Sequence, residues 1–253
     1  MSRDLREILQ TNATMPSDTK KRVTRRRKSK KTLKESKAPV IEVSTEEVEE
    51  PKQKILFQPN PGPQTSFLAS TEQEVLYGGS AGGGKSYSLV VDPIRYFGNP
   101  QASMLLVRRS TEELRELISI SKDLYPKAVP GIKFMERDKT WVAPSGATLW
   151  MSYLDRDDDV MRYQGQAFNW IGFDELTQWP TPYPWNYMRS RLRSSRDSGL
   201  PLYMRATTNP GGPGHQWVKK TFIDPAPHNE AFWATDIDTD KTIVWPKGHS
   251  REG

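Results

Sequence analysis

Gly79-Ser80-Ala81-Gly82-Gly83-Gly84-Lys85-Ser86 matches the pattern G-x-x-x-x-G-K-[ST] at every fixed position. The apolar run 74–77 before it is predicted to form a strand, and residues 87–97 after it have helical spacing. Glycines let backbone N–H groups turn inward around phosphate oxygens at the start of a helix. In such a loop Lys85 reaches the β- and γ-phosphates and the Ser86 hydroxyl ligates Mg²⁺. The stretch therefore predicts a nucleotide-binding strand, loop and helix.

The composition limits the class of protein. The chain has 253 residues, of which 35% are hydrophobic and eight are Trp, enough for a sizeable core. It contains no Cys, which excludes disulfides and thiolate metal sites. No apolar run approaches the roughly 18 to 20 residues that span a bilayer, and the N-terminus lacks the apolar core of a signal peptide. We therefore expect a protein of a reducing cytoplasm without membrane contact.

The positive charge is concentrated near the N-terminus. Residues 1–37 contain thirteen Lys or Arg and four acidic residues, so within the total of +6 the rest of the chain carries −3. Because this stretch and the acidic stretch 42–50 have little to bury, we predict a largely disordered tail over 1–54 and one domain over 55–253. The basic stretch either binds nucleic-acid phosphates in a salt-dependent way or acts as a solubilising arm, and by composition alone it also resembles a nuclear signal.

A second stretch complements the glycine loop. The apolar run 168–173 ends in Asp174-Glu175, about ninety residues further along the chain. Hydrolysis of a nucleotide needs a carboxylate that holds Mg²⁺ and a base that orients the attacking water. Downstream of a phosphate loop, Asp174 is predicted to hold Mg²⁺ and Glu175 to act as the general base.

The other segments alternate between predicted strands and helices. Residues 103–107 form a buried strand that delivers Arg108 and Arg109, and the spacing of Ser110 and Glu113 predicts a capping box at the start of a helix. Further predicted elements are a hairpin over 139–153 turning at 144–146, a strand over 201–207, a helix over 216–223 and a last strand over 231–234.

This alternation favours an α/β fold with a mainly parallel central sheet flanked by helices. Ligands of such sheets bind at the carboxyl ends of the strands. The glycine loop, Asp174-Glu175 and Thr208-Asn209 all fall at predicted strand ends. We therefore expect them to share one site.

The acidic run 155–159 has two interpretations. It would supply oxygen ligands to a metal, but its acids are nearly contiguous and lack the Gly and Glu of a calcium loop. Acidic side chains are also favoured in the first turn of a helix. We predict a solvated helix N-terminus here.

In their combination and order, the motifs resemble those of the ATPase domain of the large terminase subunit of tailed bacteriophages, a motor that packages DNA into procapsids. The resemblance covers about residues 55–240. It rests on Gln64 upstream of residues 77–86, Leu106-Val107-Arg108-Arg109, Arg162-Tyr163-Gln164-Gly165-Gln166, Ile171-Gly172-Phe173-Asp174-Glu175 and Thr207-Thr208-Asn209-Pro210-Gly211-Gly212. It implies an ASCE-type P-loop NTPase that uses ATP and Mg²⁺.

The resemblance also implies roles for single residues. Gln64 would contact the adenine, with Phe57 as a weaker candidate for packing against the base. Gly79, Ser80, Ala81, Gly82, Gly83, Gly84, Lys85 and Ser86 would bind the phosphates. Ser86 and Asp174 would hold Mg²⁺, and Glu175 would catalyse hydrolysis. Thr207, Thr208 and Asn209 would couple hydrolysis to movement, with Asn209 sensing the γ-phosphate.

Terminase motors form a ring in which one subunit supplies an arginine finger to its neighbour's ATP. The resemblance implies this role for Arg162, with Arg108 or Arg109 as the alternative candidates. Arg162, Glu175 and Lys85 are then the predicted catalytic residues. The alternative is an Arg162 that pairs only with the acids at 155–159. Because the finger acts in trans, the isolated chain is expected to be a monomer with weak activity.

The implied partners are double-stranded DNA, the portal protein and the small terminase subunit, in the cytoplasm of an infected bacterium and transiently at the procapsid. Family members usually continue into a nuclease domain, for which the sequence stops too soon at Gly253, so no nuclease activity is expected of these residues. Two other functions stay open: a helicase-like P-loop motor that unwinds nucleic acid, and a DNA-binding scaffold that holds a nucleotide without turnover.

Overall fold

The computed structural model describes residues 55–80, 82–194 and 196–225. The predicted tail over 1–54 and the predicted strand over 231–234 lie outside these residues. Seven strands form one sheet: β1 (Glu74–Gly78), β2 (Ser103–Arg108), β3 (Lys133–Met135), β4 (Thr140–Val142), β5 (Thr148–Tyr153), β6 (Trp170–Phe173) and β7 (Tyr203–Thr208). Their order is β1, β7, β6, β2, β5, β4, β3. The first five in this order are parallel and the last two pair antiparallel, which confirms the mainly parallel sheet.

The described residues also form the helices α1 (Pro63–Ala69), α2 (Lys85–Val91), α3 (Thr111–Ala128), α4 (Tyr183–Arg189) and α5 (His215–Val218). Short 3₁₀ helices span Asp92–Tyr96, Asp157–Tyr163, Leu176–Gln178 and Arg196–Ser198, and a π-helical turn spans Lys219–Ile223. None of the helices in these residues has the length and apolar character needed to cross a membrane.

The helix predicted over 87–97 is divided. α2 ends at Val91 and continues as the 3₁₀ helix that contains Pro93, because proline has no backbone N–H to donate to the preceding turn. In contrast, α3 begins as predicted. The backbone N–H of Glu113 donates to Ser110 Oγ at 3.3 Å, and the Ser110 hydroxyl donates to the Glu113 carboxylate at 3.1 Å.

Alternation along the central strands buries both faces of the sheet. In β2, Met104 and Leu106 join the cluster that includes residues of α2 and α3, whereas Leu105 and Val107 join the cluster around Trp179 and Trp185. Successive strand residues point to opposite faces, so an unbroken apolar run is buried only when both faces are covered. The α/β prediction is confirmed in this respect.

Gly172 in β6 lies close to the side chains of Trp170 and Leu106, which belong to the apolar cluster that includes residues of α2 and α3. An added Cβ would lie 2.8 Å from Trp170 Cζ3 and 2.9 Å from Leu106 Cδ1. Gly172→Ala is therefore expected to lower the free energy of unfolding by about 1–3 kcal/mol through overpacking. Urea denaturation measures the change. The control is Gly78→Ala, where the nearest atom would be Thr208 Cγ2 at 3.9 Å. Equal denaturation midpoints for the two variants would contradict the packing described.

Candidate nucleotide-binding and catalytic site

The glycine loop connects β1 to α2, as predicted. Gly84, the residue before α2, adopts φ 68°, a left-handed conformation that favours glycine. An added Cβ there would also lie 2.7 Å from Gln64 Nε2. The loop is closed by the Tyr77 hydroxyl, which donates to the Gly83 carbonyl at 2.8 Å. This contact of Tyr77 was not predicted, although the sequence places Tyr77 near the end of the strand before the loop.

Lys85 lies folded back over the loop. Its ammonium donates to the Ser80 carbonyl at 2.6 Å, and the side chain is largely buried. This holds the positive charge against the backbone of the glycine loop. Ala81, which also belongs to the predicted phosphate-binding set, lies outside the described residues.

Asp174 is the point where four elements meet, at the end of β6. Its carboxylate is fully buried. The Ser86 hydroxyl donates to Asp174 Oδ1 at 3.0 Å, the Thr207 hydroxyl donates to the same oxygen, and the Arg108 guanidinium pairs with Oδ2. The predicted metal pair, Ser86 and Asp174, is thus brought together by the fold.

The donor set of this pair suits Mg²⁺. Both side chains offer oxygen, and the described residues contain no group of three or more His, Cys, Asp or Glu that would form a cage for a metal. Mg²⁺ commonly takes only one or two protein ligands and completes its octahedron with phosphate oxygens and water. The residues present therefore fit Mg²⁺ held jointly by the protein and a nucleotide.

Glu175 is held in an unusual position by the end of β7. Its backbone adopts φ 57° and ψ 56°, which is uncommon outside glycine. One carboxylate oxygen accepts from Asn209 Nδ2 at 2.7 Å, and the other accepts from the Asn209 backbone N–H at 3.1 Å. The Glu175 backbone N–H donates to Thr207 Oγ1 at 3.3 Å. The predicted base and the predicted coupling residues are thus in direct contact.

Thr208 connects this strand end to the segment after Glu175. Its hydroxyl oxygen lies 2.8 Å from Thr177 Oγ1 and accepts from the Thr177 backbone N–H at 3.3 Å. Both threonines are buried. Movement of the end of β7 would therefore be transmitted to residues 175–178.

Gln64 lies on α1, and only 4% of it is exposed. Its Nε2 donates to Ser88 Oγ at 2.9 Å and to the Gly84 carbonyl at 3.3 Å, while its Oε1 accepts from the Asn60 backbone N–H at 2.7 Å. Phe57 packs on the Tyr87 ring at 5.4 Å between centroids. Both residues therefore support the start of α2 from behind the glycine loop.

Arg162 is 47% exposed and held by backbone carbonyls near the end of β5. Its Nη2 donates to the Tyr153 carbonyl at 2.7 Å and its Nε to the Asp159 carbonyl at 3.1 Å, with the Asp159 carboxylate 3.6 Å away. Asp157, Asp158 and Asp159 of the acidic run form the first turn of the 3₁₀ helix Asp157–Tyr163, which confirms a helix N-terminus there. Arg109 pairs with Asp157 at 3.4 Å.

Arg108 differs from both of these arginines, because it is turned inward and is 8% exposed. Besides its pair with Asp174, its Nε lies 3.7 Å from Glu113 Oε2. Burial raises the pKa of Glu113, but the hydrogen bond from Gln178 and the charge of Arg108 outweigh burial, so the pKa lies below its ordinary value. The sequence showed that β2 delivers Arg108 to this edge, but not that Asp174 receives it.

These contacts define a class of protein. A glycine loop follows β1, Asp174 and Glu175 follow β6, and β7 with Thr207, Thr208 and Asn209 lies between those strands. This is the P-loop NTPase fold of the ASCE type, as predicted.

No known family profile matches the chain, and no curated protein sequence does. Several solved structures are similar to it, among them the following three. The large terminase of a thermophilic bacteriophage, in complex with ADP, has a TM-score of 0.48 and 20% identity, over 64% of this chain and 41% of that one. The ATPase domain of the Thermus phage P74-26 large terminase has a TM-score of 0.46 and 14% identity, over 61% and 66%. The N-terminal domain of the bacteriophage phi29 DNA packaging ATPase has a TM-score of 0.46 and 17% identity, over 74% and 96%. The chain thus spans less than half the length of the first of these, the ADP-bound large terminase.

Proposed function

We propose that this chain contains the ATP-hydrolysing motor of viral DNA packaging, a large terminase ATPase that couples hydrolysis to translocation of double-stranded DNA into procapsids. The observation that carries the proposal is the double contact between Asn209 and Glu175. It ties the residue that would polarise water to the strand end that would sense the nucleotide. A protein that only stored a nucleotide would not need this link.

Each residue of the proposed site has its own role in ATP binding and hydrolysis. The backbone of residues 79, 80 and 82–84 would wrap the phosphates, and Lys85 would leave the Ser80 carbonyl to contact the β- and γ-phosphates. Ser86 and Asp174 would hold Mg²⁺, which when bound would neutralise charge on the phosphate oxygens. Glu175 then orients and polarises the attacking water as general base.

Asn209 connects the chemistry to movement. The amide group that donates to Glu175 Oε1 is also the group for which a γ-phosphate would compete. Loss of the phosphate after hydrolysis would return Asn209 to Glu175. Thr207 and Thr208 carry the shift into residues 174–178, because their hydroxyls bond Asp174 and Thr177.

Arg162 would act on a neighbouring subunit, not on its own site. It is anchored at the end of β5, two strand positions from Asp174 and Glu175 at the end of β6. At about 4.8 Å per strand this is roughly 10 Å, and the guanidinium bonds the Tyr153 and Asp159 carbonyls instead of either carboxylate. Its exposure leaves it accessible to the ATP of an adjacent copy in a ring. We extend the proposal to the portal protein and the small terminase subunit as partners, in the cytoplasm of an infected bacterium.

ATP turnover measured against protein concentration tests this function. We expect turnover to rise faster than linearly with protein and to increase with double-stranded DNA, because a complete site needs two subunits. Stimulation by single strands, with unwinding of a duplex, would instead indicate a helicase-like motor. Binding of ATP without turnover, even when the protein is crowded on DNA, would reduce the chain to a nucleotide-binding scaffold.

Substitution of Gln64 tests its proposed adenine contact against its support of the loop. Gln64→Ala removes hydrogen bonds to Gly84, Ser88 and Asn60, so the affinities for ATP and GTP are both expected to fall about tenfold. If Gln64 also contacts the adenine, the affinity for ATP should fall more than the affinity for GTP, which reduces the preference for ATP over GTP. Titration with fluorescent ATP and GTP analogues measures both effects. Thr65→Ala is the control, since Thr65 lies beside Gln64 on α1 and its hydroxyl donates to the Asn60 carbonyl, outside the glycine loop. Unchanged affinities in Gln64→Ala would contradict both roles.

A further inference from the structure

The carboxylate proposed to hold Mg²⁺ already has a positively charged partner inside its own subunit. Val107 pairs with Phe173 in the sheet, so Arg108 and Asp174 follow at the ends of neighbouring strands on the same face. Arg108 Nη1 contacts Asp174 Oδ2, and the hydroxyls of Ser86 and Thr207 donate to Oδ1. Both oxygens of the carboxylate are therefore already engaged by groups of the protein.

A second carboxylate lies beside Arg108 and is not yet bonded to it. Arg108 Nε is buried without a hydrogen-bond partner among the described residues, and Glu113 Oε2 is 3.7 Å away. Glu113 is fixed by Gln178 Nε2, which donates to Oε1 at 2.8 Å, and by the Ser110 hydroxyl. Glu113 is thus an immobilised anion just beyond hydrogen-bond distance of the guanidinium.

We propose that Arg108 takes the place of the divalent cation at Asp174 while the nucleotide site is empty, and moves to Glu113 when Mg²⁺ arrives with ATP. The inference rests on the proposed role of Asp174 as the metal carboxylate. A buried carboxylate without a counter-charge is strongly disfavoured, so Asp174 needs a cation at every stage of the cycle. Two cations at one carboxylate repel each other, and Glu113 is the other carboxylate within reach of Arg108.

The exchange makes metal binding depend on nucleotide. Without ATP, a divalent cation would have to displace a buried guanidinium while gaining only Asp174 and Ser86 as protein ligands. With ATP, the phosphates supply further oxygen ligands and the exchange becomes favourable. Because Glu113 lies in the first turn of α3, the exchange also transmits the state of the site to that helix. Arg108 is accordingly an internal residue of its own subunit and does not act in trans.

Binding of Mn²⁺ to the nucleotide-free protein, followed by the electron paramagnetic resonance signal of the free ion, tests the exchange. We expect wild type to bind Mn²⁺ weakly and Arg108→Met to bind it at least about tenfold more tightly, since the competing charge is gone. The gain should vanish in Arg108→Met combined with Asp174→Asn. Arg109→Met is the matched control, because Arg109 pairs with Asp157 and does not contact Asp174, so its affinity for Mn²⁺ should equal that of wild type.

Glu113→Gln gives a second test that leaves the Arg108–Asp174 pair in place, in case Arg108→Met does not fold. With a non-hydrolysable ATP analogue, its affinity for Mn²⁺ should fall about tenfold, because Arg108 has lost its second acceptor. Without nucleotide, the affinity of Glu113→Gln for Mn²⁺ should equal that of wild type. Equal affinities of wild type and folded Arg108→Met, or of wild type and Glu113→Gln with the analogue, would overturn the exchange. Absence of Mn²⁺ binding in all proteins, even with the analogue, would refute the metal site itself and the exchange with it.

Discussion

Glu175→Gln is expected to lower ATP turnover by about 10³-fold at saturating MgATP, while the protein still binds ATP. The amide has the shape of the carboxylate and still accepts a hydrogen bond from Asn209 Nδ2. It does not, however, accept a proton from the attacking water. Phosphate release measures turnover, and a fluorescent ATP analogue measures binding.

Glu116→Gln is the matched control for this substitution. Glu116 is an exposed carboxyl on α3, and its removal should leave turnover within about twofold of wild type. Glu175→Gln turnover within about tenfold of wild type would exclude Glu175 as the general base. The double contact with Asn209 would then have only a structural role.

Arg162→Ala is expected to lower turnover by about 10³–10⁵-fold under conditions in which wild type assembles, the range seen when an arginine finger is removed. The side chain is half exposed and its local bonds go to two carbonyls and Asp159, so its loss should not unfold the domain. Circular dichroism of the variant checks this.

Mixing Arg162→Ala with Glu175→Gln distinguishes a role of Arg162 at the neighbouring subunit's site from a structural effect within its own subunit. Arg162→Ala retains Glu175, and Glu175→Gln retains Arg162, so a mixed assembly contains complete sites at half of its mixed interfaces. We expect turnover to reappear on mixing, although each variant alone is inactive. Arg137→Ala, an exposed arginine between β3 and β4, is the control and should be active alone. Turnover that is proportional to protein and indifferent to Arg162 would indicate a self-contained ATPase.

Elements with a strong local signal were predictable. The strand, loop and helix around residues 74–91, the cap of α3 and the hairpin of β4 and β5 follow from glycines, capping residues and alternation that operate over a few residues. Elements with short or mixed signals were not. β3 has only three residues, of which Phe134 packs on Trp141 while its two neighbours are exposed. α1 was not predicted, because two prolines and a glycine precede it closely, although Pro63 at its first turn is compatible with a helix.

The sequence by itself determined which chemical groups are present and that each follows a strand. The glycines, Lys85 and Ser86 had to form a turn between a strand and a helix, and Asp174-Glu175 had to end an apolar strand, because these features depend on neighbours in the chain. Only the tertiary structure decided which of these groups meet. Ser86 and Asp174 are 88 residues apart, Arg108 and Asp174 are 66 apart, and Glu175 and Asn209 are 34 apart. Their contacts depend on the order β1, β7, β6, β2, which results from packing whole elements on a common core and is written in no single stretch of the chain.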